Sequence, residues 1–310
     1  MGLRFYFGPS GSGKSTMLHK EIIDRAMAEP GMNFLVIVPD QFTMQTQMDL
    51  VKAHPKKGIM NIDVLSFGRL SHRILEEVGG DNSRTVLDDT GKSLVLRKVA
   101  ENIGEELPVI GGNLGKIGYI HEVKSAISEF MQYGIGVKEL EELTQYARKR
   151  GALYHKLKDL GVLYGQFLQY IQEKYITTEE TLELLCRMLP KSRLIQNSVV
   201  ALDGFTGFTP VQNRLLQRLM ELSREVIVTV VMDGEESNPY VPDGEQKLFY
   251  LSKKTVWDLS RLAKEAQAPR GEDVFAAKGN GQRPKLRSFQ DYEEMQHLER
   301  QLFRSPVKAN

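Results

Sequence analysis

Cysteine is almost missing from this chain. Cys186 stands alone, so no internal disulfide can form and no cysteine-based metal cluster can be assembled here. A reducing compartment such as the cytoplasm is expected. Net charge is nearly absent as well. The 41 Lys and Arg balance 40 Asp and Glu to give +1, so bulk charge does not advertise a nucleic-acid partner, and any DNA contact must come from local patches. Tryptophan occurs once, at Trp257. No run approaches the roughly 20 apolar residues of a membrane span, so no membrane partner is expected. A signal peptide is not expected either, because a glycine-rich loop arrives almost at once.

That loop is the most specific feature present. Gly8-Pro9-Ser10-Gly11-Ser12-Gly13-Lys14-Ser15 matches G-x-x-x-x-G-K-[ST] at every fixed position. An anionic triphosphate needs several backbone N–H groups aimed at one point. Glycines allow the chain to wrap that tightly and to approach closely. Lys14 supplies a mobile charge for the β and γ oxygens, the Ser15 hydroxyl can sit on Mg²⁺, and Thr16 opens the helix whose positive end faces the phosphates. Leu3–Phe7 before the loop reads as a buried strand, and Ser15–Met27 after it as a helix. ATP and Mg are therefore the expected ligands.

The strand–helix rhythm continues. Asn33–Val38 is strand-like, Gln41–Val51 helical, Ile59–Leu65 strand-like and Phe67–Val78 helical. Such alternation implies a parallel sheet with helices on both faces. From Val86 to Leu189 the pattern is helix after helix, ending in a capping arrangement at Thr177–Glu180. Strands resume at Ser198–Asp203 and Glu225–Met232, with a helix from Pro210 to Leu222 between them and a long helix over Glu245–Ala268. The expected organisation is an α/β domain from 1–86 and 190–270, interrupted by an all-α insertion over 87–189. A polar, glycine-rich linker at 271–284 follows. Residues 285–310 then read as the start of a second α/β domain, too short to bury a core, so a longer protein is expected.

Asp203 ends an apolar strand, where the acid that partners Mg²⁺ belongs in a P-loop fold; a turn or cap role is its plainer alternative. The residue after it is Gly204, where an active motor would place a water-polarising glutamate. Losing a positioned general base costs on the order of 10²–10⁴-fold. A site that holds Mg·ATP and turns it over slowly or not at all is expected, with no residue assignable as catalytic.

These features resemble one family across nearly the whole chain: AddB (RexB), the second component of the bacterial AddAB helicase–nuclease. Besides the loop, Phe34–Thr43 is similar to the segment that family carries in place of the first DNA-contacting helicase motif. Val64–Leu70 resembles a worn T-F-H-[ST] stretch. Leu202–Gln212 resembles D-E-x-Q-D-x-[ST]-x-x-Q with the Glu, the first Gln and the second Asp lost. Leu286–Phe289 with Glu293–Met295 resembles the opening of a second motor domain.

The resemblance implies a RecA-like, superfamily 1-type first domain, P-loop chemistry and a non-motor role. That role is gripping single- and double-stranded DNA beside an AddA-like helicase/nuclease partner, during break repair, recombination and Chi scanning. It also places the nuclease domain and an iron–sulfur cluster near a distant C-terminus, outside this sequence. Phe42, Phe67 and Arg69 follow predicted parallel strands, where aromatics can stack bases and an arginine can hold a phosphate. Phe67 is equally suited to anchoring its own helix. Arg148-Lys149-Arg150 reads as a solvated helix cap or a DNA contact. A stand-alone P-loop enzyme, such as a small-molecule kinase, and a module using ATP only as a structural ligand both remain open.

Overall fold

The structure, a computed structural model, describes residues 2–79, 84–172, 174–233, 236, 238–276 and 293–302. The chain divides into two compact units: Met1–Ile74 with Met188–Phe208 and Asn213–Asn310, and Leu75–Arg187 with Thr209–Gln212.

The first unit opens with β1 (Leu3–Gly8), α1 (Lys14–Ala28), β2 (Asn33–Ile37), α2 (Thr43–Ala53), β3 (Ile62–Leu65) and α3 (Phe67–Val78). The strands β1 and β2 are rich in Phe, Val and Ile and are buried along almost their whole length. That is the composition of strands covered on both faces. Phe5, Phe7 and Phe34 are each no more than 1% exposed. Leu18, Ile22, Ile23 and Ala26 of α1 pack against Tyr6, Phe34, Val36 and Val64. Each large apolar side chain among them contributes about 1.5–3 kcal/mol on full burial.

The second unit contains β4 (Thr85–Leu87), α4 (Asp89–Ile103), α5 (Ile117–Tyr133), α6 (Val137–Tyr146), α7 (Gly151–Ile171), β5 (Tyr175–Thr177) and α8 (Thr178–Met188). Its core gathers Leu96, Ile110, Ile127, Leu140, Leu163 and Phe167. Thr177 and Glu180 form the anticipated capping box: Thr177 N–H donates to Glu180 Oε2 at 2.9 Å and Glu180 N–H donates to Thr177 Oγ1 at 3.2 Å. The expectation of an all-α insertion is corrected here. β4 and β5 form a two-stranded parallel ladder, Thr85 to Tyr175 through Leu87 to Thr177. Three-residue strands are too short to show a period-2 pattern, and only their pairing across some ninety residues defines them.

The remaining elements are α9 (Arg193–Gln196), β6 (Ser198–Leu202), α10 (Pro210–Leu222), β7 (Glu225–Val231), α11 (Tyr250–Glu265), β8 (Val274–Phe275) and α12 (Glu293–Gln301). The large sheet runs β3-β2-β6-β7-β1-β8, every pairing parallel. All six strands therefore end on one edge, and the segments following β1, β2, β3, β6 and β7 share it.

β8 is a second correction. Residues 271–284 read as linker, yet Val274 and Phe275 pair with Tyr6 and Phe7 of β1. The strand is short because a side chain substitutes for backbone in the ladder: Phe5 N–H donates to Asp273 Oδ1 at 2.7 Å. The strand expected at Leu286–Phe289 lies outside the described residues. No described helix is long and apolar enough to cross a membrane.

Candidate functional site

The loop after β1 folds as its composition demands. Gly11 and Gly13 have φ of 75° and 88°, in the left-handed region that glycine enters without strain. A Cβ on Gly8 would lie 2.6 Å from Ser12 Oγ and 3.1 Å from Ala276 Cβ, so a larger residue there would require the Ser12 side chain to turn away and its neighbours to give. Gly13 is the N-cap of α1 and no side chain caps the helix, which leaves the amides of its first turn for an outside acceptor. Inside the loop, Lys14 Nζ donates to Pro9 O at 2.8 Å and Ser12 N–H donates to the same oxygen at 3.2 Å. Ser10 is exposed at the loop tip, and Thr16 is exposed on the first turn of α1.

Ser15 lies at the start of α1 and Asp203 just past β6. Ser15 Oγ donates to Asp203 Oδ1 at 3.0 Å. Thr229 of β7 donates to the same oxygen at 2.6 Å. His19 Nε2 stands 3.5 Å from Oδ2, a charge contact when protonated but not a hydrogen bond. Burial alone would raise the Asp203 carboxyl, but His19, Thr229 and Ser15 outweigh it and hold the group below its ordinary value. Burial lowers the Lys14 ammonium, and the charge of Asp203 opposes that shift. A buried cation facing a carboxylate, with open amides beside it, suits a ligand that carries more negative charge.

Ser10, Lys14, Ser15, Asp203, Phe205 and Thr229 are among the walls of a cleft of about 440 Å³. That volume lies within the range of small-ligand sites. Ser12 Oγ is buried and unpaired next to it, an orphan polar atom. The donor set fits a Mg-nucleotide. Among the described residues no three His, Cys, Asp or Glu side chains gather to hold a metal alone, so a divalent ion here would need ligand oxygens as well.

Gly204 has φ +80°. Its N–H donates to Thr229 Oγ1 at 3.4 Å. A Cβ there would sit 3.7 Å from Pro39 Cδ and 3.8 Å from Phe42 Cδ2, ordinary contact distances. Other residues are therefore disfavoured at this position by backbone conformation rather than by space.

Phe42 is 48% exposed beside Gly204, because β2 adjoins β6. Arg69 is exposed on the first turn of α3, with no ion pair among the described residues. Phe67 departs from the base-stacking expectation. It is 8% exposed and packs on Phe205 with ring centroids 5.4 Å apart, so in this conformation it anchors α3. Thr209 and Gln212 form a capping box at the start of α10, with Thr209 N–H donating to Gln212 Oε1 at 2.9 Å.

Sequence reasoning overlooked His19 and Thr229. His19 lies four residues after Ser15, on the same face of α1. Thr229 is the lone polar residue within the apolar core of Glu225–Val231. Both signals are legible once Asp203 is taken as the focus.

The chain is an α/β protein whose six-stranded parallel sheet is flanked by helices and carries a glycine loop and a buried acid at one edge, and the comparisons place it in one family. Residues 5–299 match the "ADDB, N-terminal" family model, and the chain belongs to that family. Among its relatives, the B component of the ATP-dependent helicase/deoxyribonuclease of Lachnoclostridium phytofermentans is 43% identical over 309 residues, covering 100% of this chain and 26% of that protein. Proteins of the same name from Thermoanaerobacter sp. strain X514 and Alkaliphilus oremlandii are 32% and 30% identical, each over 99% of this chain and 26% of theirs. The chain thus spans about a quarter of the length of the curated relatives it matches.

Proposed function

We propose that this chain is the nucleotide- and DNA-binding front portion of one component of a helicase–deoxyribonuclease. It would act beside an AddA-like partner in processing double-strand breaks for recombination and in scanning DNA for Chi, within the cytoplasm. In this reading residues 1–86 and 190–270 form a RecA-like first domain, 87–189 its inserted domain, and 285–310 the start of a second. The names of the relatives and the family match support the complex-level activity.

One observation carries the site reading: Ser15 Oγ and Asp203 Oδ1 meet at 3.0 Å on the edge where the glycine loop ends. Gly8 to Thr16 would cradle the phosphates, Lys14 would neutralise them, and Ser15 with Asp203 would hold Mg²⁺. Bound Mg·ATP supplies a phosphoanhydride whose cleavage drives motors. This chain has no carboxylate at Gly204 to orient water, so its residues bind and orient the nucleotide without a base to take a proton. The site grips its nucleotide rather than driving a cycle. Phe42 and Arg69, on the same edge, would touch a DNA strand through base stacking and a phosphate contact.

The test is calorimetric titration of the 310-residue chain with Mg·ATP, followed by steady-state hydrolysis with and without single-stranded DNA. Saturable binding with negligible turnover is expected. Absence of binding overturns the cleft assignment, and brisk hydrolysis overturns the degenerate-site reading.

A further inference from the structure

Helices α6 and α7 run back along each other through a tight turn at Ala147–Arg150. Arg150 N–H closes that turn on Ala147 O at 2.7 Å. Between the helices lies a groove of about 480 Å³. Its walls include Gln145, Tyr154, Lys158, Gln166 and one acid, Glu141. Gly161 and Gly165 form part of its floor, where an added Cβ would come 3.9 Å from Leu140 and Val137.

Charge is distributed unevenly along this groove. Arg148, Lys149 and Arg150 are all exposed at the turn, and Lys158 is exposed on the neighbouring wall. None of the four has an ion-pair partner among the described residues. From Leu143 to Lys158 the sequence contains no Asp or Glu. Two aromatics accompany the cations. Tyr146 is 88% exposed immediately before the turn, and Tyr154 stands half-buried on the groove wall with its ring 5.3 Å from His155 in an edge-on arrangement. Unpaired surface cations in a chain that is otherwise charge-balanced attract a compensating anion, and a dipole-complementing helix end needs only one of them.

We infer that the turn-proximal end of the α6–α7 groove is a binding site for single-stranded nucleic acid, its backbone across Arg148, Lys149 and Arg150 and an unpaired base stacked on Tyr154. The chemistry favours this partner over a duplex or an acidic peptide. Arginine planes and tyrosine rings offer flat faces to bases, and the amide of Gln145, at the turn-proximal end, can pair with a base edge. A duplex hides its bases in the stack, and an acidic peptide makes no use of the rings. From Arg150 to Lys158 the helical rise spans about 12 Å, so the cations at the turn and Lys158 on the wall can meet different phosphates of one extended strand. This site lies wholly within the second unit and does not depend on the nucleotide cleft.

The 310-residue chain is titrated with a fluorescein-labelled oligo-dT of fifteen nucleotides over a range of salt concentrations. The unlabelled oligonucleotide, a matched duplex and polyglutamate serve as competitors. The triple variant R148Q/K149Q/R150Q changes exposed residues only, and circular dichroism verifies its fold. It should weaken binding at least ten-fold and flatten the slope of log K against log salt by about 2, since each single-strand phosphate contact contributes about 0.7. Tyr154→Ala should weaken binding about five-fold or more without changing that slope, and Tyr154→Phe should restore it. The triple variant should bind Mg·ATP as the parent does, which separates failure here from failure of the cleft. An unchanged slope and affinity in the triple variant overturn the proposal. So does stronger competition by the duplex, or equal competition by polyglutamate.

Discussion

Ser15 and Asp203, 188 residues apart in sequence, share a hydrogen bond of 3.0 Å, with Asp203 accepting from the hydroxyl through Oδ1. The same oxygen accepts from Thr229. If this pair is the divalent-ion seat, Asp203→Asn and Ser15→Ala should each weaken Mg·ATP binding ten-fold or more while changing metal-free ATP binding little. Calorimetry with Mg²⁺ and with EDTA checks this. Asp203 has a depressed pKa, so its contribution to stability is present above the ordinary carboxylate value of 3.8 and is lost as pH falls through the folded-state value below it. Mg·ATP binding should accordingly show no Asp203 titration between about pH 5 and pH 8, a range expected from the direction of the shift.

In the nucleotide-free protein the charge on Lys14 is a cost, whereas the charge on Asp203 is favoured by its neighbours, although both shifts make stability rise with pH. The Lys14 pKa is lowered by burial, so the unfolded chain binds the proton more tightly than the folded one. Stability therefore rises with pH through the interval between the folded value and the ordinary 10.5, and below that interval the charged amine is a standing cost. Lys14→Met keeps the shape and removes the charge. Its melting temperature should equal or exceed that of the parent, while the stabilisation by Mg·ATP, about 2.7 kcal/mol at a hundred times Kd for the parent, disappears. Thermal shift with and without nucleotide reads both effects.

Gly204→Glu should not create a motor. The residue sits at φ +80°, where a side chain costs about 1–2 kcal/mol, so the variant should melt lower and still hydrolyse ATP negligibly. A large gain in turnover would mean that the missing carboxylate was the whole deficit.

Phe42 and Phe67 should part company. Phe67→Ala removes a buried ring packed on Phe205 and should cost about 3–5 kcal/mol in a denaturant melt. Phe42→Ala, half exposed, should leave stability within about 1 kcal/mol, in line with surface substitutions, and weaken single-stranded DNA binding instead.

In the second unit, Lys92 Nζ lies 3.0 and 2.9 Å from the two oxygens of Glu179, and both residues are buried. Lys92→Met alone strands a buried carboxylate and should destabilise by about 3–5 kcal/mol. The double variant K92M/E179L should recover most of that loss, as chemical denaturation will show.

Much of the fold was legible in the residues. The helices Phe67–Val78 and Pro210–Leu222 lie where periodicity placed them, because a local hydrophobic rhythm and a proline at the first helical position act within one or two turns. The strands at Asn33–Ile37 and Ser198–Leu202 carry β-branched runs that leave little choice. The long helix expected from Glu245 begins only at Tyr250, since the preceding Gly244 and its neighbours make a turn, with Lys247 N–H bonded to Gly244 O. β4, β5 and β8 escaped notice because two or three residues carry no period, and pairing partners far along the chain decide their state.

What the sequence determined by itself is chemistry held in contiguous residues. The spacing of Gly8, Gly11 and Gly13 permits a tight loop with left-handed turns, Lys14 and Ser15 follow it directly, and a glycine follows Asp203. What only the tertiary structure decided is which distant groups share that loop. Asp203 reaches Ser15, Thr229 and His19 close on Asp203, and Phe67 turns inward onto Phe205. Backbone conformation is set over a few residues by sterics, whereas the company a side chain keeps depends on the order in which parallel strands assemble, and that order is settled by burial summed over the whole sheet.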